Sequence, residues 1–216
     1  MIARGVWRLI TLAISIAIGA STLSAGEKPL TIVAFGDSLT AGFGLPAADA
    51  FPVRLEAALS ARGHHVVVIN AGVSGDTTDM GLARLDWSLP DDADAVIVEL
   101  GANDALRGVD PRTTRANLDA IVARLGERGL PVLVAGMAAP RNLGAEYAQA
   151  FDPMFGEIAA ARGALFYPFF LDGVALDPAL NQADGMHPKA TGVGIIVDRM
   201  LPKVEALIAL AEARRP

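Results

Sequence analysis

Cysteine is absent from the chain, so no disulfide can staple the fold and no N-terminal cysteine is available for lipid attachment. Histidine is scarce as well, with three in 216 residues. Two of them, His64 and His65, are neighbours at the start of an expected strand, where successive side chains point to opposite faces. No further cluster accompanies them, so no metal is expected. Positive charge is short: 18 Lys and Arg stand against 24 Asp and Glu, a net of −6. Such a chain is a poor electrostatic match for nucleic acid or for anionic lipid surfaces. Phosphate-binding glycine patterns are also missing. Gly36, Gly42 and Gly44 do not space out as G-x-G-x-x-G, and no G-K-[ST] occurs nearby, so neither a dinucleotide nor a nucleoside triphosphate cofactor is expected. Internal repeats and low-complexity tracts are lacking too.

What is present begins with the first 25 residues. Arg4 and Arg8 precede a 12-residue apolar run, Leu9 to Ala20, and small residues follow as far as Ala25. Charge, length and exit pattern are those of a secretory signal peptide, and a spanning helix would need about 20 apolar residues. Cleavage near Ala25 leaves residues 26–216 as one domain, with a formal charge of −8 and no stable membrane anchor. A monomer is compatible with this reading.

Apolar, β-rich runs recur at Leu30–Phe35, His65–Ile69, Ala95–Leu100, Pro131–Ala135 and Ala164–Tyr167. They are nearly continuous rather than alternating, as strands covered on both faces should be. Helical patterns lie between them at 51–63, 80–89, 111–129 and 145–163, and a last one at 189–213 is interrupted or restarted at Pro202. Strands alternating with helices predict an α/β protein, a three-layer α/β/α sandwich with a five-stranded parallel sheet. In such a sheet ligands gather at the carboxyl ends of the strands.

Four loops at that edge carry unusual residues: Gly36-Asp37-Ser38, "NAGVSGDTT" from Asn70 to Thr78, "GAND" from Gly101 to Asp104, and "QADGMHP" holding Asp184 and His187. Acyl transfer needs an activated hydroxyl, an imidazole to take its proton, a carboxylate to orient that imidazole, and donors for the developing oxyanion. Ser38 can supply the hydroxyl and His187 the imidazole. Asp184, three residues before His187 on a tight loop, can hold one ring nitrogen while the other faces Ser38. The backbone N–H groups of Ser38 and Gly75 and the side-chain amide of Asn103 could form the oxyanion hole. Asp37 is read as fixing the turn through backbone hydrogen bonds, Asp76 and Asp79 as capping the helix after Gly75, and Asp104 as locking the loop of Asn103. The α/β-hydrolase elbow G-x-S-x-G fails, because Thr40 stands two residues after Ser38.

The blocks "GDSL", "NAGVSG", "GAND" and "DGMHP" resemble the four signature blocks of the GDSL or SGNH hydrolase family. Within it, "GDSLTAGFGL", "GLARL" and "VELGANDALRG" are similar to the acyl-thioesterase I, lysophospholipase and arylesterase group. The resemblance runs from Thr31 to the last helix. It implies a flavodoxin-like strand order, cofactor-independent hydrolysis of an acyl ester or thioester, Ser38 as nucleophile, His187 as base and then acid, Asp184 as its partner, and Gly75 and Asn103 as oxyanion donors beside Ser38. Leu45, Met80, Leu106, Met137, Leu143 and Tyr147, with Pro46 and Phe169, lie on or beside the loops around the expected site and could line an acyl groove. A sugar O-acetylesterase, or a non-catalytic lipid- or carbohydrate-binding module on the same fold, are the alternatives this sequence leaves open.

Overall fold

The computed structural model describes residues 28–215; the leader reading falls outside them. Five strands form one sheet: β1 Leu30–Gly36, β2 Val66–Gly72, β3 Ala95–Glu99, β4 Val132–Ala135 and β5 Leu165–Tyr167. Every pairing is parallel and the order is β2-β1-β3-β4-β5. β1 and β3 are buried along their whole lengths, which accounts for their unbroken apolar character. The helices are α1 Ser38–Ala41, α2 Phe51–Ala61, α3 Thr78–Ser88, α4 Ala102–Leu106, α5 Pro111–Glu127, α6 Ala145–Phe151, α7 Met154–Arg162 and α8 Ala190–Glu212. α2 and α8 cover one face of the sheet, and α3, α5 and α7 the other. Leu118, Ile121, Val122 and Leu125 form the buried stripe of α5, spaced three and four residues apart.

This order has one switch point. From β1 the chain runs outward to β2 and then returns to the other side of β1 to build β3, so a crevice opens beyond the carboxyl ends of β1 and β3. The segments that follow these two strands carry Asp37-Ser38 and Gly101-Ala102-Asn103.

Two helix expectations need correction. Pro202 does not interrupt α8, which runs unbroken from Ala190 to Glu212. Pro202 and Asp198, whose carbonyl loses its intrahelical donor, are both exposed, and the buried Val197, Met200, Leu201, Val204 and Leu207 continue one apolar face past the site. The pattern at 145–163 is two helices rather than one. Pro153 separates them, and the Asp152 carboxylate turns away to accept the backbone N–H of Ala139 at 2.8 Å. Among the described residues no helix is long and apolar enough to cross a membrane.

Candidate active site

Ser38 occupies the first position of α1, directly after β1. The turn that carries it is held from below. The Asp37 carboxylate accepts the Leu39 N–H at 3.0 Å, as an N-cap does. Gly36 serves by lacking a side chain: a Cβ there would lie 2.2 Å from Thr40 Oγ1 and 2.6 Å from Glu99 Oε2. That space is filled by Glu99, fully buried, whose Oε2 accepts the Thr40 hydroxyl at 2.7 Å and the Asp37 N–H at 3.4 Å. Among the described residues Glu99 Oε1 has no hydrogen-bond partner. Burial, followed by the neighbouring Asp37 charge, pushes the Glu99 carboxyl well above its usual range, and burial raises Asp37 to about 6.

Above the turn, His187 Nε2 lies 2.9 Å from Ser38 Oγ, and its Nδ1 lies 2.7 Å from Asp184 Oδ2. The other carboxylate oxygen of Asp184 accepts the backbone N–H groups of His187 at 3.0 Å and Met186 at 2.9 Å. These two backbone bonds, then the imidazole, hold the Asp184 carboxyl down at about 2. The loop itself is pinned at its base, where Gln182 N–H donates to His187 O and Lys189 N–H to Leu180 O, both at 2.8 Å. The three residues named from sequence as a nucleophile, base and orienting acid are therefore in one hydrogen-bonded line.

Gly75 and Asn103 face the same cleft as Ser38. Gly75 has φ +89°, a conformation that a side chain would strain. Its N–H and that of Ser38 have no acceptor among the described residues. Asn103 differs: its amide donates to Asp37 Oδ2 and to Asp76 O, both at 3.0 Å. Asp76 and Asp79 are not the caps expected of them. Thr77 caps α3, and Asp76 forms a buried ion pair at 2.5 Å with Arg84, whose guanidinium also donates to Gly36 O at 2.9 Å and lies over the Phe35 ring. Asp104 accepts the Thr78 N–H and hydroxyl at 2.8 and 2.6 Å and the Thr114 hydroxyl at 3.2 Å, so it ties the starts of α3, α4 and α5 together. In this way the serine turn, the Gly75 loop and Asn103 rest on one polar floor.

The cleft measures about 930 Å³. Of the residues expected to line it, Leu106, Met137 and Phe169 do. Leu45, Pro46, Met80, Leu143 and Tyr147 do not: Leu45, Leu143 and Tyr147 pack against the core, and Met80 is exposed on α3. Tyr147 donates its hydroxyl to Val109 O at 2.7 Å and stacks on Phe151. Sequence reasoning missed Phe43, Leu171, Leu176 and Met186, which are apolar and line the cleft. Phe43 and Met186 had a signal, since each sits within five residues of Ser38 or His187. It missed Arg107 too, whose guanidinium donates to Gly75 O at 2.7 Å.

Known proteins resemble this chain over most of its length. The family model described as "GDSL-like Lipase/Acylhydrolase family" matches residues 34–195. An arylesterase of Vibrio mimicus is 37% identical over 183 residues, covering 84% of this chain and 90% of the relative. Thioesterase 1/protease 1/lysophospholipase L1 of Escherichia coli K12 is 34% identical over 179 residues, covering 82% and 85%. The crystal structure of the psychrotrophic esterase EstA from Pseudoalteromonas sp., inhibited by monoethylphosphonate, superposes with a TM-score of 0.78 at 30% identity, covering 83% of this chain and 98% of that one.

Proposed function

The chain belongs to the GDSL-like lipase/acylhydrolase family and is an ester hydrolase, and from that premise we propose that it works through a covalent acyl-Ser38 intermediate on carboxylic esters and thioesters. The observation that carries this reading is the line from Asp184 through His187 to Ser38 Oγ, at 2.7 and 2.9 Å, with Ser38 and His187 lining an apolar cleft.

In the proposed sequence Ser38 Oγ attacks the acyl carbon as its proton passes to His187 Nε2. The carbonyl π electrons move onto oxygen, which the Ser38 and Gly75 N–H groups receive. Asn103 joins them when one of its two present acceptors yields. Collapse breaks the acyl C–O or C–S bond, and the proton on Nε2 goes to the departing alkoxide or thiolate. Water then attacks the acyl-serine, again losing its proton to Nε2, and Ser38 recovers that proton as the acid leaves. Asp184, ionised throughout, stabilises the imidazolium at both stages. Substrates are expected to be small-molecule acyl esters and thioesters, as the names of the relatives suggest. We further propose that residues 1–25 direct export and are removed, leaving 26–216 as one hydrolase domain; the N-terminal sequence of the exported protein checks this.

The test is a chain-length profile with aryl esters and acyl thioesters, run beside Ser38→Ala. The reading predicts turnover on both classes, extending beyond acetyl, and its loss in the variant by about 10⁴-fold or more. Activity confined to acetylated glycans would replace it with an O-acetylesterase, and no turnover by a folded wild type with a binding module.

A further inference from the structure

Phe43 lies on the loop after α1, bracketed by Gly42 and Gly44, whose φ values of +81° and +74° are left-handed. These two glycines let the chain double back and present the aromatic side chain between them. Its ring centroid is 4.6 Å from that of His187, at an interplanar angle of 39°. Yet the residue is 51% exposed and lines the cleft, so part of its surface is open to whatever enters. Its position is built rather than incidental. Gln182, from the histidine loop, donates its side-chain amide to Phe43 O at 2.7 Å and to Pro188 O at 3.0 Å. A Cβ on Gly44 would lie 2.2 Å from Gln182 Oε1, so a side chain there would push the clamping amide aside, and the φ of +74° would strain it as well. The loop holding the ring and the loop holding the imidazole are thus fastened to each other.

The chemistry fixes what must come near that ring. A departing oxygen or sulfur takes its proton from His187 Nε2, so it must sit within about 3 Å of that atom. The first atoms of the leaving group then lie beside the imidazole, and Phe43 is the aromatic wall on it. Met186, adjacent in sequence to His187 and 47% exposed, is a second apolar surface in the same cleft.

We propose that Phe43 is the leaving-group platform of this enzyme, a specificity-determining residue that favours esters with aromatic leaving groups by ring-to-ring contact. The proposal rests on the reading of Ser38 and His187 given above. A ring that merely steadied His187 would have the opposite signature, because weakened proton donation harms poor alkoxide leaving groups more than good phenoxide ones.

The experiment compares kcat/KM for phenyl acetate, 2,2,2-trifluoroethyl acetate and ethyl acetate on wild type, Phe43→Ala, Phe43→Leu and Gln182→Ala. Trifluoroethoxide leaves readily but has no ring. The expected result is a fall of about 3- to 10-fold in phenyl preference over trifluoroethyl in both Phe43 variants, with a smaller shift in the same direction for Gln182→Ala. Phe43→Leu keeps apolar bulk at a half-exposed position and so guards against loss of fold. An unchanged ratio, or a larger loss on ethyl than on phenyl acetate, overturns the platform. A wild type that cleaves none of the three esters overturns the functional reading beneath it, which is a different result.

Discussion

Asp184 and Glu99 each stand one contact behind the serine machinery, Asp184 behind His187 and Glu99 behind the Asp37-Ser38 turn, and the fold treats these two carboxyl groups in opposite ways. Asp184 keeps a third of its side chain in solvent and gathers two backbone N–H groups and an imidazole, so its pKa falls to about 2. Glu99 is fully buried at the end of β3 beside Gly36 of β1, takes one hydroxyl and one long N–H bond on a single oxygen, and is pushed up by burial. Charge is maintained where hydrogen bonds and water support it and where an imidazolium will form beside it. Under the nucleophile, a carboxyl group serves instead as a shaped hydrogen-bonding wedge.

The largest effect that sharpens this contrast is expected from Asp184→Asn, which retains shape and removes charge. Turnover should fall by about 10³- to 10⁴-fold with the fold intact, measured as kcat on an aryl ester beside a thermal melt. A small loss would mean that another carboxylate orients His187. Next is Asp76→Asn in the floor, which leaves the buried Arg84 without its charge partner. A one-sided break of this kind costs about 3–5 kcal/mol, and for a chain of this size Tm should drop by about 10 °C. Asn103→Ala joins the two regions, since its amide donates to the floor and faces the cleft. The expected loss is about 10²-fold in kcat with little change in KM; a change in KM alone would remove Asn103 from the oxyanion site.

Glu99→Gln should give the smallest effect, and its sign is the informative part. Glu99 and Asp37 hold protons in the folded protein that an unfolded chain releases near the ordinary values of 4.5 and 3.8. Folding stability therefore declines as pH climbs from about 4 through the raised values, which for Asp37 is about 6. Asp184 has the reverse linkage: its contribution is complete above about 4 and is lost as pH falls toward 2. Glutamine cannot ionise, so Glu99→Gln should gain about 2–4 °C in Tm over wild type at pH 8, with the gap closing at pH 4.5. A gap that widens toward low pH would show that Glu99 is an anion in the folded protein.

Much of this was legible in the sequence, for reasons particular to each element. All five strands were marked by short β-rich apolar runs, because a sheet covered on both faces needs them. Their order was not, since parallel neighbours leave no trace in each other's composition; it followed only from the family resemblance. Ser38, Gly75, Asn103, Asp184 and His187 could be read because each sits in a short segment of distinctive composition at one predicted sheet edge. The cleft walls could not be read the same way. Leu45 is near the Ser38 turn in sequence and Tyr147 lies beyond the end of β4, but their direction in space is set by packing against the core. Glu99 was invisible as part of the site because it belongs to a strand, and only the register Gly36↔Glu99 between β1 and β3 puts it under the nucleophile turn.

Everything proposed for this site requires the acyl group to be carried on Ser38 Oγ. Treatment of the folded protein with an alkyl fluorophosphonate, followed by digestion and mass spectrometry, tests it most directly. One phosphonyl adduct is expected, on the peptide containing Ser38, formed in step with loss of esterase activity, absent from Ser38→Ala and sharply slowed in Asp184→Asn. An adduct on another residue, or full esterase activity lost with Ser38 unmodified, would contradict it.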